Sequence, residues 1–322
     1  MELKLSNGSS FSSYPIEGKL FKPSIPRLFG VPIRRTMGRS NIGYLVSSSP
    51  GLKLHAIQSS EKPVRMEKER VDQSEILTLD GIRHSLIRQE DTIIFSLLER
   101  AQFCYNADTY DDNVFHMDGF NGSLVEFMVR ETEKLHAQVG RYKSPDEHPF
   151  FPEALPEPML PPIQYPRVLH PVADTININK KLWDMYFSKL LPKLVKKGND
   201  GNCGSSAVCD TMCLQALSKR IHYGKFVAEA KFQEAPDVFE PAIKAQDGDQ
   251  LMRLLTYESV ETAIKKRVEV KARIFGQEIT VGEKNATPVY KIKPSLVAEL
   301  YDYWIMPLTK KVQVEYLLRR LD

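Results

Sequence analysis

The sequence predicts an all-α fold in a single domain, and three observations carry that prediction. Apolar residues recur at helical spacing, as in Ile82, Leu86, Ile93 and Leu97, separated by 4, 7 and 4 positions. No part of the chain alternates strand-like with helical segments, and no internal repeat is present. The composition, 322 residues with 42% hydrophobic and 26% charged, suits a globular body with one large core or two modest ones.

The opening segment stands apart. Residues 1–60 hold eight basic and two acidic side chains and are rich in serine, as in SNGSSFSSYP and LVSSSPGLKL. A secretory signal needs an apolar run of roughly 7–15 residues, which this segment lacks. Basic, Ser-rich and acid-poor is the pattern of an organelle transit peptide, and the abundant serine favours the plastid. The expected division is a disordered transit segment over residues 1–62 and one folded domain over 63–322. The whole chain carries a formal charge of +3, so the remainder is mildly acidic, which argues against nucleic acid as the main partner. Nothing approaches the length needed to cross a bilayer.

From residue 75 the pattern is helical to about 103, with Arg83 and Glu90 on the edge of its apolar stripe. After an acidic, aromatic loop, Ser123 and Glu126 form a capping box for a helix to about 139. Residues 144–171 hold nine of the 21 prolines, which excludes regular helix and central strand. Phe150, Phe151, Leu155, Leu160 and Ile163 make this a long loop packed on the body. A helix follows over about 179–197. The Gly-rich GNDGNCGSS then opens a long helix to about 233, shorter helices fill 236–275, and a final helix spans about 294–321 with a kink at Pro307.

Arg220 and Lys231 are eleven residues apart, which on a helix is three turns plus roughly 20°, so both face the same way about 16 Å apart. Gly224, Val227 and Ala228 lie between them as a small floor, and the pair suits a small dianion better than a solvated basic stripe. GNDGNCGSS ahead of a helix offers unpartnered N–H groups to an anion but lacks the GK[ST] of a nucleotide loop. Thr309 and Gln313, and Tyr257 and Glu261, each stand one turn apart. His116, His136 and His222 lie on separate segments with no nucleophile pattern near them. The four cysteines, Cys104, Cys203, Cys209 and Cys213, lack zinc spacing and read as reduced thiols. Such a set binds a dicarboxylate and stabilises charge without covalent intermediates.

The stretches IRHSLIRQEDTIIFSLLER, YKSPDEHPFFP, LSKRIHYGKFVAEAKFQ and VEYLLRRLD together resemble the all-helical chorismate mutases of fungi and plants, the plastid enzymes especially, over roughly residues 75–322. The resemblance implies a homodimer of helices that converts chorismate to prephenate without a cofactor, with one active site per subunit. By position it implies that Arg83 and Arg220 bind substrate carboxylates, that Lys231 is the active-site lysine, that Glu261 meets the substrate hydroxyl, and that Thr309 lines the site. Two positions depart from the fungal pattern: Tyr257 replaces an asparagine, and Gln313 replaces a glutamate beside the ether oxygen. The resemblance also implies an effector site between subunits at Gly140, Arg141, Gly204 and Ser205, with activation by tryptophan, inhibition by tyrosine and phenylalanine, and a chloroplast location. Gly140 stands where fungal members carry a second arginine. The rival reading is a catalytically silent aromatic amino-acid sensor of the same fold.

Overall fold

A computed structural model describes residues 70–71, 79–278 and 288–322, all within the unit Arg65–Asp322. The expected transit segment, residues 1–62, lies outside the described residues. In chain order the helices are α1 (Leu79–Arg100), α2 (Leu124–Gln138), α3 (Asn179–Met185), α4 (Leu191–Leu194), α5 (Cys203–His222), α6 (Gly224–Glu234), α7 (Pro236–Lys244), α8 (Gly248–Leu255), α9 (Glu258–Gly276), α10 (Pro294–Leu300) and α11 (Met306–Leu317). The all-α expectation holds, with one small addition. Strands β1 (Arg70–Val71) and β2 (Ile163–Gln164) form a two-residue parallel pair.

Three residues of the α1 stripe are buried as the spacing predicts, Ile82, Ile93 and Leu97 each 1% exposed, and Leu86 is half-buried. Ser123 caps α2 by accepting the Glu126 N–H at 3.4 Å, while the Glu126 carboxylate pairs with Arg130. α5 is the central rod and packs against α1, α2 and α11. Between α1 and α5 the Arg100 guanidinium donates to Asp210 at 2.7 Å, both side chains fully buried. Asp210 also accepts from the hydroxyls of Tyr110 and Tyr186, each at 2.7 Å.

The proline-rich segment is ordered against the body, as expected. The buried Glu133 carboxylate accepts the N–H groups of Phe150 and Phe151 at 2.7 and 3.0 Å, and both rings pack on Trp183. Leu160 departs from the expectation: it is exposed.

Two prolines reshape their helices in the same way. Pro307 and Pro192 lack an N–H, and their rings collide with the carbonyl four residues back. In each case a π turn precedes the proline, Tyr301–Ile305 and Tyr186–Leu190, closed by an N–H donated five residues back from Met306 to Tyr301 and from Leu191 to Tyr186. The kink expected at Pro307 is therefore a wide turn, and the helix expected over 179–197 is split.

The long helix expected to reach 233 breaks at Tyr223 into α5 and α6. Gly224 opens α6 at the break, and its lack of a side chain sets how closely that helix packs. A Cβ there would stand 2.7 Å from the Thr309 carbonyl oxygen and 3.1 Å from its methyl, so only glycine lets α6 approach α11 this closely. Gly224→Ala must push α11 away. It should cost about 1–3 kcal/mol of stability and lower activity by displacing Thr309 and Gln313, as thermal melting and steady-state kinetics of the variant would show.

Candidate active site

The helix ends set by this packing converge on one cavity of about 650 Å³, within the usual range for a small-molecule site. Arg83 projects into it from the start of α1, Arg220 from the last turn of α5, Lys231 from the last turn of α6, Glu261 from the first turn of α9, and Thr309 and Gln313 from α11. All six residues singled out from the sequence thus line the same space. Of the expected floor, Val227 lines the cavity, whereas Gly224 meets Thr309 and Ala228 is buried in the core.

The charges are unevenly paired. Glu90 is bound by both arms of Arg267, at 2.9 and 2.6 Å, and by Lys271 at 3.1 Å. Glu261 is bound by Lys310 at 2.9 Å. Among the described residues, Arg220 and Lys231 have no carboxylate partner. Arg220 is 4% exposed; one of its terminal nitrogens donates to Thr309 Oγ1 at a long 3.4 Å, and its Nε is buried with no partner. Burial holds its pKa below the usual arginine value. Lys231 donates to the Leu255 carbonyl at 3.3 Å and lies 4.5 Å from the centre of the Tyr257 ring. Burial pushes its pKa down to about 8; Glu261 opposes the shift and Lys310 adds to it. The Gln313 amide donates to the Thr309 carbonyl at 3.4 Å, and its Oε1 is a second buried atom without a partner. A buried polar group left unmade costs about 1–3 kcal/mol, so these two atoms mark a wall shaped for a ligand.

Sequence reasoning missed Arg267 and Lys310. Arg267 and Lys271 stand one turn apart on α9 and could have been matched to Glu90 on α1. Lys310 had no such signal, because it adjoins Thr309 in sequence and neighbouring helical residues point about 100° apart.

The expected effector residues fall elsewhere. Gly204 and Ser205 open α5, whose Asn202 cap makes no side-chain bond to the first turn. The preceding loop is fixed by Asp200, which accepts from the Cys104 N–H and the Asn106 side chain at 2.8 Å each, and a Cβ on Gly204 would meet nothing within 4 Å. Gly140 ends α2 with φ +83°, and Arg141 is tied to Glu147 at 2.9 Å and to Gln215 at 3.2 Å. Gln215 is eleven residues along α5 from Gly204, about 16 Å, so a single chain does not bring Arg141 to Gly204. Among the described residues, no group of His, Cys, Asp or Glu could hold a metal ion and no helix is long and apolar enough to cross a membrane. The four cysteines are free.

An all-helical body with a cation-lined pocket where its helix ends meet is the architecture of the helical chorismate mutases, and comparison with known proteins agrees. The Chorismate mutase type II model matches residues 203–314. Chorismate mutase 1, chloroplastic, of Zea mays is 76% identical over 271 residues, covering 84% of this chain and 86% of that protein. Chorismate mutase 3, chloroplastic, of Arabidopsis thaliana is 64% identical over 321 residues, covering 95% and 100%. The crystal structure of AtCM1 with phenylalanine in its allosteric site superposes with a TM-score of 0.74 at 72% identity, covering 79% of this chain and 100% of that one; a companion structure holds tyrosine there. Aro7p chorismate mutase of Candida albicans in complex with L-Trp gives a TM-score of 0.72 at 41% identity, covering 76% and 92%. The chain belongs to the chorismate mutase family, on its chloroplast plant branch. It is an isomerase of the plastid.

Proposed function

We propose that this enzyme rearranges chorismate to prephenate by holding the substrate folded and stabilising the charge that grows on its ether oxygen, at the cavity described above. A [3,3] rearrangement needs no base and no nucleophile; it needs orientation and donors aimed where negative charge develops. Arg83 and Arg220 fork onto the two carboxylates. Lys231 serves a carboxylate and the ether oxygen, Glu261 accepts from the substrate hydroxyl, Thr309 steadies Arg220, and the Gln313 amide donates to the ether oxygen. The single observation that carries this reading is that Arg220, buried, and Lys231, half-buried, line one cavity without carboxylate partners. A dianion supplies what both lack. Residues 1–62 act as the transit segment and 63–322 as the catalytic domain.

Arg220→Ala and Lys231→Ala should each lower kcat/KM by about 2–4 kcal/mol, roughly 30- to 1,000-fold. Thermal melting of Arg220→Ala should be unchanged or higher, because a buried donor without a partner is removed. Near-normal turnover in both variants would sink the assignment.

The pH dependence follows from two groups. Glutamine offers N–H donors at every physiological pH, so Gln313 sets no limit of its own. Lys231 is active as the ammonium, and its pKa is about 8 in the empty site. kcat/KM, which reports the free enzyme, should therefore stay level through neutrality and fall as pH rises through about 8. The bound dianion raises that pKa, so kcat should persist further into the alkaline range. Gln313→Glu donates only when protonated, and its kcat/KM should begin to fall at lower pH than the parent's. Parallel profiles would separate residue 313 from the ether oxygen.

Regulation belongs to the same proposal. Tryptophan, tyrosine and phenylalanine bind between two copies of the chain, at Gly204 and Ser205 of one subunit and Gly140 and Arg141 of the other. The open first turn of α5 suits a carboxylate, and the exposed apolar side chains of Leu135 on α2, Val139 just after it, and Val208 and Met212 on α5 suit a homodimer contact. Tryptophan activates, whereas tyrosine and phenylalanine inhibit. Gly204→Asp adds a side chain in open space and an acid at a helix start, so the fold and basal rate should survive. Its activation by tryptophan should be lost; an unchanged response places the effector site elsewhere.

A further inference from the structure

Tyr257 is half-exposed in the two-residue connection between α8 and α9. That connection is a scaffold for two cavity lysines. The Leu255 carbonyl accepts from Lys231 and the Thr256 hydroxyl accepts from Lys310, at 3.3 Å each. The Tyr257 carbonyl accepts the Glu261 N–H at 3.0 Å, which fixes the start of α9, and the phenol ring is presented to the Lys231 ammonium with its centre 4.5 Å from Nζ.

A buried lysine in a binding site faces a conflict. It must remain charged to meet an anion, yet a carboxylate that kept it charged would compete with that anion. An aromatic face resolves the conflict, because its quadrupole favours the ammonium over the neutral amine without neutralising it. The other charges around Lys231 do not do this work. Glu261 favours the ammonium but is held by Lys310, and Lys310 itself opposes it. Arg83 on α1, Arg220 on α5 and Arg267 on α9 are further cations of the same cavity; Glu90 on α1 is bound by Arg267, and Glu234 shares α6 with Lys231.

We propose that Tyr257 is a positioning residue whose ring face keeps Lys231 cationic and aimed into the cavity, and that its hydroxyl does not serve the substrate. The proposal rests on the reading of Lys231 as a substrate contact, so its test needs a readout that does not pass through catalysis.

The full chain is compared with Tyr257→Phe and Tyr257→Leu in two measurements. One is the pH dependence of Lys231 acetylation by acetic anhydride in the ligand-free protein, followed by peptide mass spectrometry; the other is kcat/KM against pH. The phenylalanine variant should overlay the parent in both. The leucine variant should lower the acetylation midpoint by about half a pH unit, and the alkaline fall of kcat/KM should move with it, while the rate at pH well below the fall stays within about twofold. An unmoved midpoint in the leucine variant overturns the proposal. So does a phenylalanine variant that shifts as far as leucine, or one that loses rate equally at every pH, since both implicate the hydroxyl. A shifted midpoint with an unshifted rate profile upholds the hold of the ring on Lys231 and removes Lys231 from the catalytic reading instead.

Discussion

The ion pair of Arg100 with Asp210 is the constraint from which the rest of the molecule is hung. Both groups are fully buried, and every arm of the guanidinium is used: Nε on Asp210, and the terminal nitrogens on the carbonyls of Phe103, Cys104 and Tyr105 and on the Tyr110 hydroxyl. A buried pair of this kind is worth little against an apolar substitute, but losing one partner costs about 3–5 kcal/mol. What it contributes is register. It pins the C-terminal end of α1 to the N-terminal half of α5, so the helices run antiparallel and their opposite ends deliver Arg83 and Arg220 to the same cavity. The pin lies between Gly204 and Arg220 on α5. The pair resists sliding of α5 along α1, since breaking it would leave a buried charge without its partner.

Within the cavity the placing of charge is selective. Each acid with a bonded partner is answered by a cation that would otherwise join the free ones, Glu90 by Arg267 and Lys271, and Glu261 by Lys310. Arg220 and Lys231 are left desolvated, and both are held below their ordinary pKa by burial. Stability alone would not select this arrangement, since a buried charge without a partner is a liability. The proposed binding of a dianion accounts for it, with the energy withheld from folding available for binding.

The fold was legible wherever period and cap chemistry act locally. The α1 stripe and the Ser123 cap follow from side chains spaced along one helix, and the proline content of residues 144–171 excludes regular structure there, although the partners that hold the segment, Glu133 and Trp183, lie outside it. The close packing of Gly224 on Thr309 beside the break at Tyr223 was not legible, because it joins residues 85 positions apart. The π turn before Pro192 escaped notice although the same chemistry suggested a kink at Pro307. The candidate site was half legible. Arg220 and Lys231 were expected to share a face of one helix; the break at Tyr223 puts them on α5 and α6, yet both line the cavity. Thr309, Gln313 and Glu261, by contrast, are ordinary helix residues that only the family resemblance singled out. Lys310 was hidden because its relevance depends on contacts with Glu261 and Thr256, 49 and 54 residues away in sequence.

His222 illustrates the opposite case, a residue with chemical promise that the fold consumes. Its Nε2 accepts the Ile178 N–H at 2.9 Å, so its proton resides on Nδ1, which donates to the Ser218 carbonyl at 2.9 Å. Burial pushes its pKa down to about 3, and its ring stacks on His148 at 4.2 Å. His148 in turn meets the buried Lys225 ammonium, which also donates to the Ala173 carbonyl. Both imidazoles are thus held neutral and spent on tying the proline-rich segment to α5 and α6. Two of the chain's seven histidines are therefore closed to proton transfer with a ligand. The proposed rearrangement, which moves no proton to or from the protein, makes no demand on them.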